Sequence, residues 1–155
     1  MKRGVFVSAA LLLVIALSVA WTKAGEDLPP AEAEAFWTYI TQTHPYTEWE
    51  FWPGYEGIYP GKSPHGAYLK LYANDIAIDA AKAGKDMPYG AILVKENYSK
   101  DEETLMAVTP MYKVEGYNPE AGDWYWVKYG PDGKAAAEGK VQGCIDCHRP
   151  TTTGS

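Results

Sequence analysis

The feature that most constrains this chain is a short cysteine–histidine motif near the end of the sequence. Cys144, Cys147 and His148 form the pattern C-x-x-C-H in the segment CIDCH. On a helical turn, residues three apart lie on one face, so both sulfurs can reach the same bound group while the adjacent imidazole projects beside them. This spacing is the attachment signature of a c-type haem. We therefore predict one haem c, attached through Cys144 and Cys147, with His148 as an axial iron ligand.

Three other interpretations of the two cysteines stay open at this point. They could form a disulfide in an exported chain, or a thioredoxin-like redox pair, which needs a βαβ context. They could also bind zinc if His44 or His65 completed the site. The redox pair is disfavoured because only residues 149–155 follow the motif.

The beginning of the sequence has the pattern of a secretory signal peptide. Lys2 and Arg3 precede a run of 16 uncharged residues at positions 5–20, and small residues follow. Such a run is short for a membrane anchor, which needs about 20 apolar residues. We therefore predict a signal peptide over residues 1–24 and a periplasmic or otherwise exported location. An uncleaved anchor is the alternative.

Charge and aromatic content narrow the choice of partners. The chain has 14 Lys and Arg against 20 Asp and Glu, a net charge of −6. Loss of the leader removes three basic residues and no acidic ones, which leaves −9. This balance argues against nucleic acid as a partner and favours a redox partner, such as a cytochrome, with a basic docking surface.

The aromatic content is high. The 12 Tyr and 6 Trp need a core or a cofactor wall to cover them.

Local patterns predict an α+β fold, namely a mostly antiparallel β-sheet with flanking helices and a C-terminal haem-attachment turn. Helices are predicted over about 31–41 and 74–83. Strands are predicted over about 67–73, 90–97, 105–114 (bent or interrupted at Pro110) and 124–129, and a short strand can follow the turn at 130–133.

The predicted organisation has four segments. They are the signal peptide at 1–24, an N-terminal helix and packed loop at 25–64, a haem domain at 65–150 and a tail at 151–155.

Several of these pieces, in this order, resemble the cytochrome P-460 family and its relative cytochrome c′-beta. They are an alternating strand ending in Tyr72, the strand with Val94-Lys95-Glu96, Gly122-Asp123-Trp124 opening a strand, and the late haem motif. The resemblance covers about residues 65–150. It implies a mono-haem c-type cytochrome with an antiparallel β fold, five-coordinate iron and usually a homodimer. Enzyme members oxidise hydroxylamine, whereas cytochrome c′-beta binds gases such as nitric oxide.

The resemblance also implies a role for Lys95. Enzyme members cross-link their haem to a lysine in a Val-Lys-Glu strand, and that position corresponds to Lys95. Strand alternation places Lys95 on the same face as Ala91 and Leu93, so the amine shares a face with apolar residues. A lysine against a haem would be desolvated, which favours the neutral, nucleophilic amine. The alternative is a strand end at which Lys95 and Glu96 both reach water.

Two further side chains are candidates for handling protons during hydroxylamine oxidation. Where enzyme members carry an arginine on the first strand, this chain has Leu69 with Lys70 beside it. Glu138 lies close to the position of an acidic tuning residue just before the haem motif. The predicted catalytic set is therefore Lys95, Lys70 and Glu138.

The sixth iron position is open to several interpretations. It could stay vacant, or His65 could ligate iron or hydrogen-bond a bound molecule. Met106 and Met111 are placed by alternation on opposite strand faces, so at most one should point at the haem, and His44 is expected to be structural. The first hypothesis is an exported five-coordinate haem protein that binds or oxidises small nitrogen species, with hydroxylamine oxidoreductase as its enzyme form. A six-coordinate periplasmic electron-transfer cytochrome, or a nitric oxide-binding protein without turnover, is the alternative.

Overall fold

A computed structural model describes residues 28–152 of the chain. In chain order its elements are α1 (Ala33–Thr38), a π-helical turn (Tyr39–Thr43), a 3-10 turn (Tyr46–Glu48), β1 (Glu50–Phe51), β2 (Tyr59–Pro60), β3 (Tyr68–Ala73), α2 (Asp75–Lys82), β4 (Ile92–Tyr98), β5 (Leu105–Lys113), a second 3-10 turn (Pro119–Ala121), β6 (Trp124–Tyr129), β7 (Ala135–Gly139) and α3 (Gln142–Thr152). The predicted leader at 1–24 lies outside the described residues. No helix within 28–152 is long and apolar enough to cross a membrane.

The seven strands form one antiparallel sheet in the order β1-β3-β4-β5-β6-β7, and β2 also pairs with β3. This sheet with its flanking helices confirms the predicted α+β class. The short strands β1 and β2 come from the predicted N-terminal segment at 25–64, so this segment packs on the same sheet. The four-segment organisation itself stays a prediction.

Alternation of side chains gives the sheet two different faces. The first, which we call the α1 face, buries an aromatic and aliphatic core that includes Phe36, Val94, Tyr112 and Tyr129. The second, which we call the cavity face, packs Trp124, Trp126 and Ile145 together with partly buried side chains such as Leu93 and Met111. Adjacent residues of β4 therefore enter different environments.

Glu96 is the charged centre of the α1 face. It is buried, and its carboxylate accepts hydrogen bonds from the hydroxyls of Tyr46 at 2.8 Å and Tyr98 at 2.7 Å. Burial, reinforced by the Glu96 charge, raises the pKa of Tyr46. The Lys70 amine lies 3.9 Å from the same carboxylate. Glu96 thus belongs to the core on the side of the sheet away from the cavity.

Asn74 connects α2 to the sheet. Its Oδ1 accepts from the backbone N–H of Ala77 at 3.1 Å and of Ile92 at 3.0 Å, and its Nδ2 donates to the Gly90 carbonyl at 2.9 Å. The first of these bonds is a helix N-cap, and the other two fix the entry to β4. One side chain therefore orients both the helix and the strand that carries Lys95.

Pro110 interrupts the sheet on one side only. β5 runs from Leu105 to Lys113 and pairs continuously with β4 across Pro110. On the other side, its pairs with β6 skip from Val108 to Met111. A proline has no N–H to donate, so the interruption falls on the side where that donor would be needed. The predicted interruption at Pro110 is thus confirmed for the β6 edge and wrong for the β4 edge.

Candidate haem site

The cysteine–histidine motif lies on α3, a helix of 11 residues rather than the single turn predicted. Cys144 and Cys147 are free thiols, with Cys144 half-buried and Cys147 exposed. Burial raises the pKa of the Cys144 thiol. The two sulfurs are therefore not joined in this structure. No group of three or more His, Cys, Asp or Glu residues is placed to hold a metal ion in the described part of the chain.

A cavity of about 980 Å³ lies between α3 and the cavity face of the sheet. This volume is at the upper end of the usual range for small-molecule sites. Its walls include Leu71, Leu93, Lys95, Asn97, Met111, Trp124, Trp126, Cys144, Cys147 and His148. Among the described residues, the wall contains Lys95, Lys100 and Lys128 but no Asp or Glu, although the chain has 20 acidic residues. The described cavity wall is thus mostly apolar, and the lysines give it positive charge.

His148 has the protonation state that metal binding needs. Its ring lies 4.8 Å from the Trp126 ring and 6.1 Å from the His65 ring, measured between centroids. Burial, helped by the nearby Lys95 charge, lowers the pKa of His148 to about 4. The imidazole is therefore neutral at physiological pH, the form that ligates iron.

Lys95 lines the cavity from the middle of β4, between Leu71 of β3 and Thr109 of β5 in the sheet register. Burial lowers the pKa of its amine. The structure thus brings Lys95 to the same cavity as His148, Cys144 and Cys147.

His65 also lines the cavity, and a residue absent from the sequence predictions holds it there. Asn97 is buried, and its Oδ1 lies 3.0 Å from His65 Nδ1. Burial, followed by the Lys95 charge, lowers the pKa of His65. Asn97 could have been identified from the sequence, because it follows Lys95 by two positions in a strand and must share its face.

The structure does not bring Lys70 or Glu138 to the cavity. Lys70 is the register partner of Glu96 and contacts it on the α1 face. Glu138 Oε2 accepts from the backbone N–H of Ala33 at 3.0 Å and from the Tyr125 hydroxyl at 3.4 Å, also on the α1 face. The physical reason is strand parity, which sends these two side chains through the opposite side of the sheet. Their positions do not support proton transfer in the cavity.

Met106 and Met111 do not follow the predicted separation onto opposite faces. Asn97 pairs with Ala107 and Tyr98 with Leu105, so Met106 is the additional residue of a β-bulge. A bulge resets the alternation along its strand. Both methionines therefore line the cavity, as does Met87, and Met106 remains 55% exposed.

The walls fit a haem by an independent criterion. The indole Nε1 atoms of Trp124 and Trp126 are buried and have no hydrogen-bond partner among the described residues. Unpaired buried donors are rare, and here they belong to side chains that line a large cavity. The Lys100 and Lys128 amines can pair with the carboxylates of a haem, whose ring suits the apolar walls.

Comparison with protein-family models gives a match to cytochrome P460 over residues 43–154. A search of curated proteins gives no match. The match extends further towards the N-terminus than the resemblance over 65–150 and includes β1 and β2. The family indicates a haem protein that acts on nitrogen species such as hydroxylamine. Because the matched region is well over half of the sequence and contains the whole cavity, the chain belongs to the cytochrome P460 family.

Proposed function

We propose that this chain is an exported cytochrome that carries one haem c and oxidises hydroxylamine or a similar small nitrogen compound. The form that binds the nitrogen ligand would have five-coordinate iron, held by His148. The observation that carries the proposal is that one cavity is lined by both cysteines, a neutral His148 and the half-buried Lys95.

Each of these side chains has a separate task in the proposed site. Cys144 and Cys147 attach the cofactor through thioether bonds, and His148 holds the iron from α3. Bound there, the haem supplies a redox-active iron that can accept electrons from a nitrogen ligand. The apolar walls around Leu93 limit the access of water to the ligand.

Lys95 is the candidate for a further covalent bond to the haem. Its burial favours the neutral amine, which has the lone pair that bond formation requires. The neighbouring wall of the cavity contains no carboxylate among the described residues that would hold the amine protonated by ion pairing. These two features support a reactive lysine at this position.

Export and partners follow from the sequence rather than from the cavity. We propose that residues 1–24 are a cleaved signal peptide, so haem attachment takes place in the periplasm or an equivalent compartment. The acidic mature chain would pass electrons to a cytochrome with a basic surface, and we propose a homodimer as the assembly.

The test uses protein produced with a c-type haem maturation system. We expect a coloured protein whose ferrous spectrum changes when carbon monoxide is added. Its ferric haem should be reduced when hydroxylamine is added. Mass spectrometry of the digested protein should find haem on the peptide with Cys144 and Cys147, and also on the peptide with Lys95. A Lys95→Met variant should lose the second attachment, whereas the Lys85→Met control, at an exposed lysine outside the cavity wall, should keep it. Colourless protein with a Cys144–Cys147 disulfide would contradict the proposal.

A second candidate function is nitric oxide binding without turnover. It is favoured by the absence of any acidic side chain in the described cavity wall, because no carboxylate is there to accept the protons that oxidation of hydroxylamine releases. Protein that binds nitric oxide tightly but is not reduced by hydroxylamine would support this function over the first.

A further inference from the structure

We propose that His65 is a second axial ligand of the haem iron, which a small nitrogen ligand must displace in order to bind. The inference rests on the proposed haem attachment. The inference goes beyond that attachment because it assigns a second iron ligand, on the side opposite His148, to a named side chain in the resting protein.

The first step is the orientation of the Asn97 amide. Its nitrogen donates to the Ala107 carbonyl at 3.2 Å, to the Lys95 carbonyl at 3.1 Å and to Thr109 Oγ1 at 3.0 Å. The two carbonyls can only accept, so the amide nitrogen must face them. Asn97 Oδ1 therefore points the other way, towards His65.

This orientation determines which nitrogen of His65 carries the proton. Asn97 Oδ1 is an acceptor, and it lies 3.0 Å from His65 Nδ1. Nδ1 must be the N–H, so in the neutral ring Nε2 presents a lone pair. Imidazoles that bind metals almost always have their other N–H fixed by an oxygen acceptor in this manner. A lone pair at Nε2 can bind iron but cannot donate a hydrogen bond to a bound gas molecule.

The second step is the position of the ring. The His65 and His148 centroids are 6.1 Å apart and the ring planes are inclined by 87°. Two imidazoles on opposite sides of one metal ion, each at a metal–nitrogen distance of about 2 Å, have centroids roughly 6 Å apart. The observed separation matches direct ligation by both rings. It is too short for a ligand to lie between the iron and His65.

The loop that carries His65 packs closely against strand β4. The neighbouring Gly66 donates its N–H to Asn97 Oδ1 at 3.2 Å. A Cβ at Gly66 would come within 2.5 Å of the Tyr98 carbonyl oxygen and 2.7 Å of its nitrogen, so only glycine allows this approach. The position of His65 is therefore set before any ligand arrives, which lowers the entropic cost of ligation.

Displacement of His65 is a ligand exchange without electron transfer. The bond between iron and His65 Nε2 breaks, and a bond between iron and the incoming nitrogen atom forms. The apparent affinity for any incoming ligand equals its intrinsic affinity multiplied by the fraction of protein in which His65 is detached. Every ligand is weakened by the same factor, so only strong ligands of iron reach high occupancy at a given concentration.

The test compares holoprotein of the wild type with His65→Ala. His44→Ala is the matched control, because the His44 ring packs 4.5 Å from Tyr39, away from the cavity. We expect low-spin ferric haem by electron paramagnetic resonance in the wild type and the control, and high-spin haem in His65→Ala. The rate of carbon monoxide binding to the ferrous form should rise about tenfold or more in His65→Ala, because no bond to iron must break first.

His65→Met provides a direct measurement of ligation. If residue 65 reaches the iron, this variant should acquire the near-infrared absorption band of methionine-bound ferric haem, and His65→Ala should not. High-spin wild-type protein, or low-spin haem that persists in His65→Ala, would overturn the proposal while leaving the proposed function intact. Attached haem that binds neither carbon monoxide nor hydroxylamine in any variant would instead contradict the proposed function.

Discussion

Lys95 lies in the wall of the cavity, and the surrounding side chains replace little of the hydration that its amine loses on burial. Burial lowers its pKa, and no acidic side chain lines the cavity among the described residues. In the haem-free protein, Lys95→Met should raise the free energy of unfolding by about 1 kcal/mol, because methionine fills a similar volume without a polar group to desolvate. Urea denaturation measures the change. A loss of stability would contradict this account of Lys95.

Asn97 should be more important for stability than its size suggests. Asn97→Leu leaves the Gly66 N–H without its acceptor and removes the donor to Ala107 and Lys95. We expect a loss of about 2 to 4 kcal/mol in the free energy of unfolding. Thr109→Val, which removes one partner of the same amide, should lose about 1 kcal/mol or less in the same denaturation experiment. Equal losses in the two variants would contradict the central role of Asn97.

At the residue scale, the sequence could predict whatever depends on short spacing. The motif identified Cys144, Cys147 and His148 because three residues of helix set their geometry. Parity within one strand brought Lys95 to the cavity side. Glu138 was selected for its proximity in sequence to the motif, and its strand turns the carboxylate to the other face. Distance along the chain carries no information about the face on which a side chain emerges.

Strands β3 to β6 separate stability from chemistry, because each has one face in the aromatic core and one in the cavity. Lys70→Met and Glu138→Gln alter only the α1 face. We expect both variants to keep the wild-type haem spectrum and hydroxylamine-dependent haem reduction within about twofold. Lys95→Met, on the cavity face, should change the spectrum in the same assay. A tenfold loss of activity in either α1-face variant would contradict this separation.

Connections between elements are less visible in the sequence than the elements themselves. The pattern of β5 is regular when read alone, yet the bulge at Met106 arises from its register with β4. Likewise β1 and β2 are two residues each, too short for any alternation to be detected. Both features result from pairing with a second strand, so the sequence of a single segment does not contain them.

For the whole molecule, the sheet class was predictable, and the closure of the cavity was not. Strand β6 lies at 124–129, as its run of aromatic residues predicted. The cavity, however, requires the loop with His65, the middle of β4 and the helix α3 to meet. These segments are separated by tens of residues, and their meeting depends on the order of strands in the sheet.

The aromatic core should make the whole fold sensitive to high pH. Burial, followed by the charge of Glu96, raises the pKa of Tyr72 from 10.0 to about 12, and burial also raises those of Tyr46, Tyr98 and Tyr129. A phenol with a raised pKa in the folded state favours folding while it is protonated. This stabilisation is complete below the unfolded pKa of about 10 and is lost as the pH rises towards the folded value.

Thermal unfolding of the haem-free protein between pH ~8 and pH ~11 tests this expectation. The midpoint should be nearly constant up to about pH 9 and fall above it, since the unfolded chain then releases tyrosine protons that the folded chain retains. Tyr72→Phe removes one of these groups and should make the fall less steep, whereas the exposed Tyr55→Phe should leave it unchanged. A midpoint that does not fall up to pH ~11 would mean that these hydroxyls ionise as readily in the folded protein as in the unfolded chain.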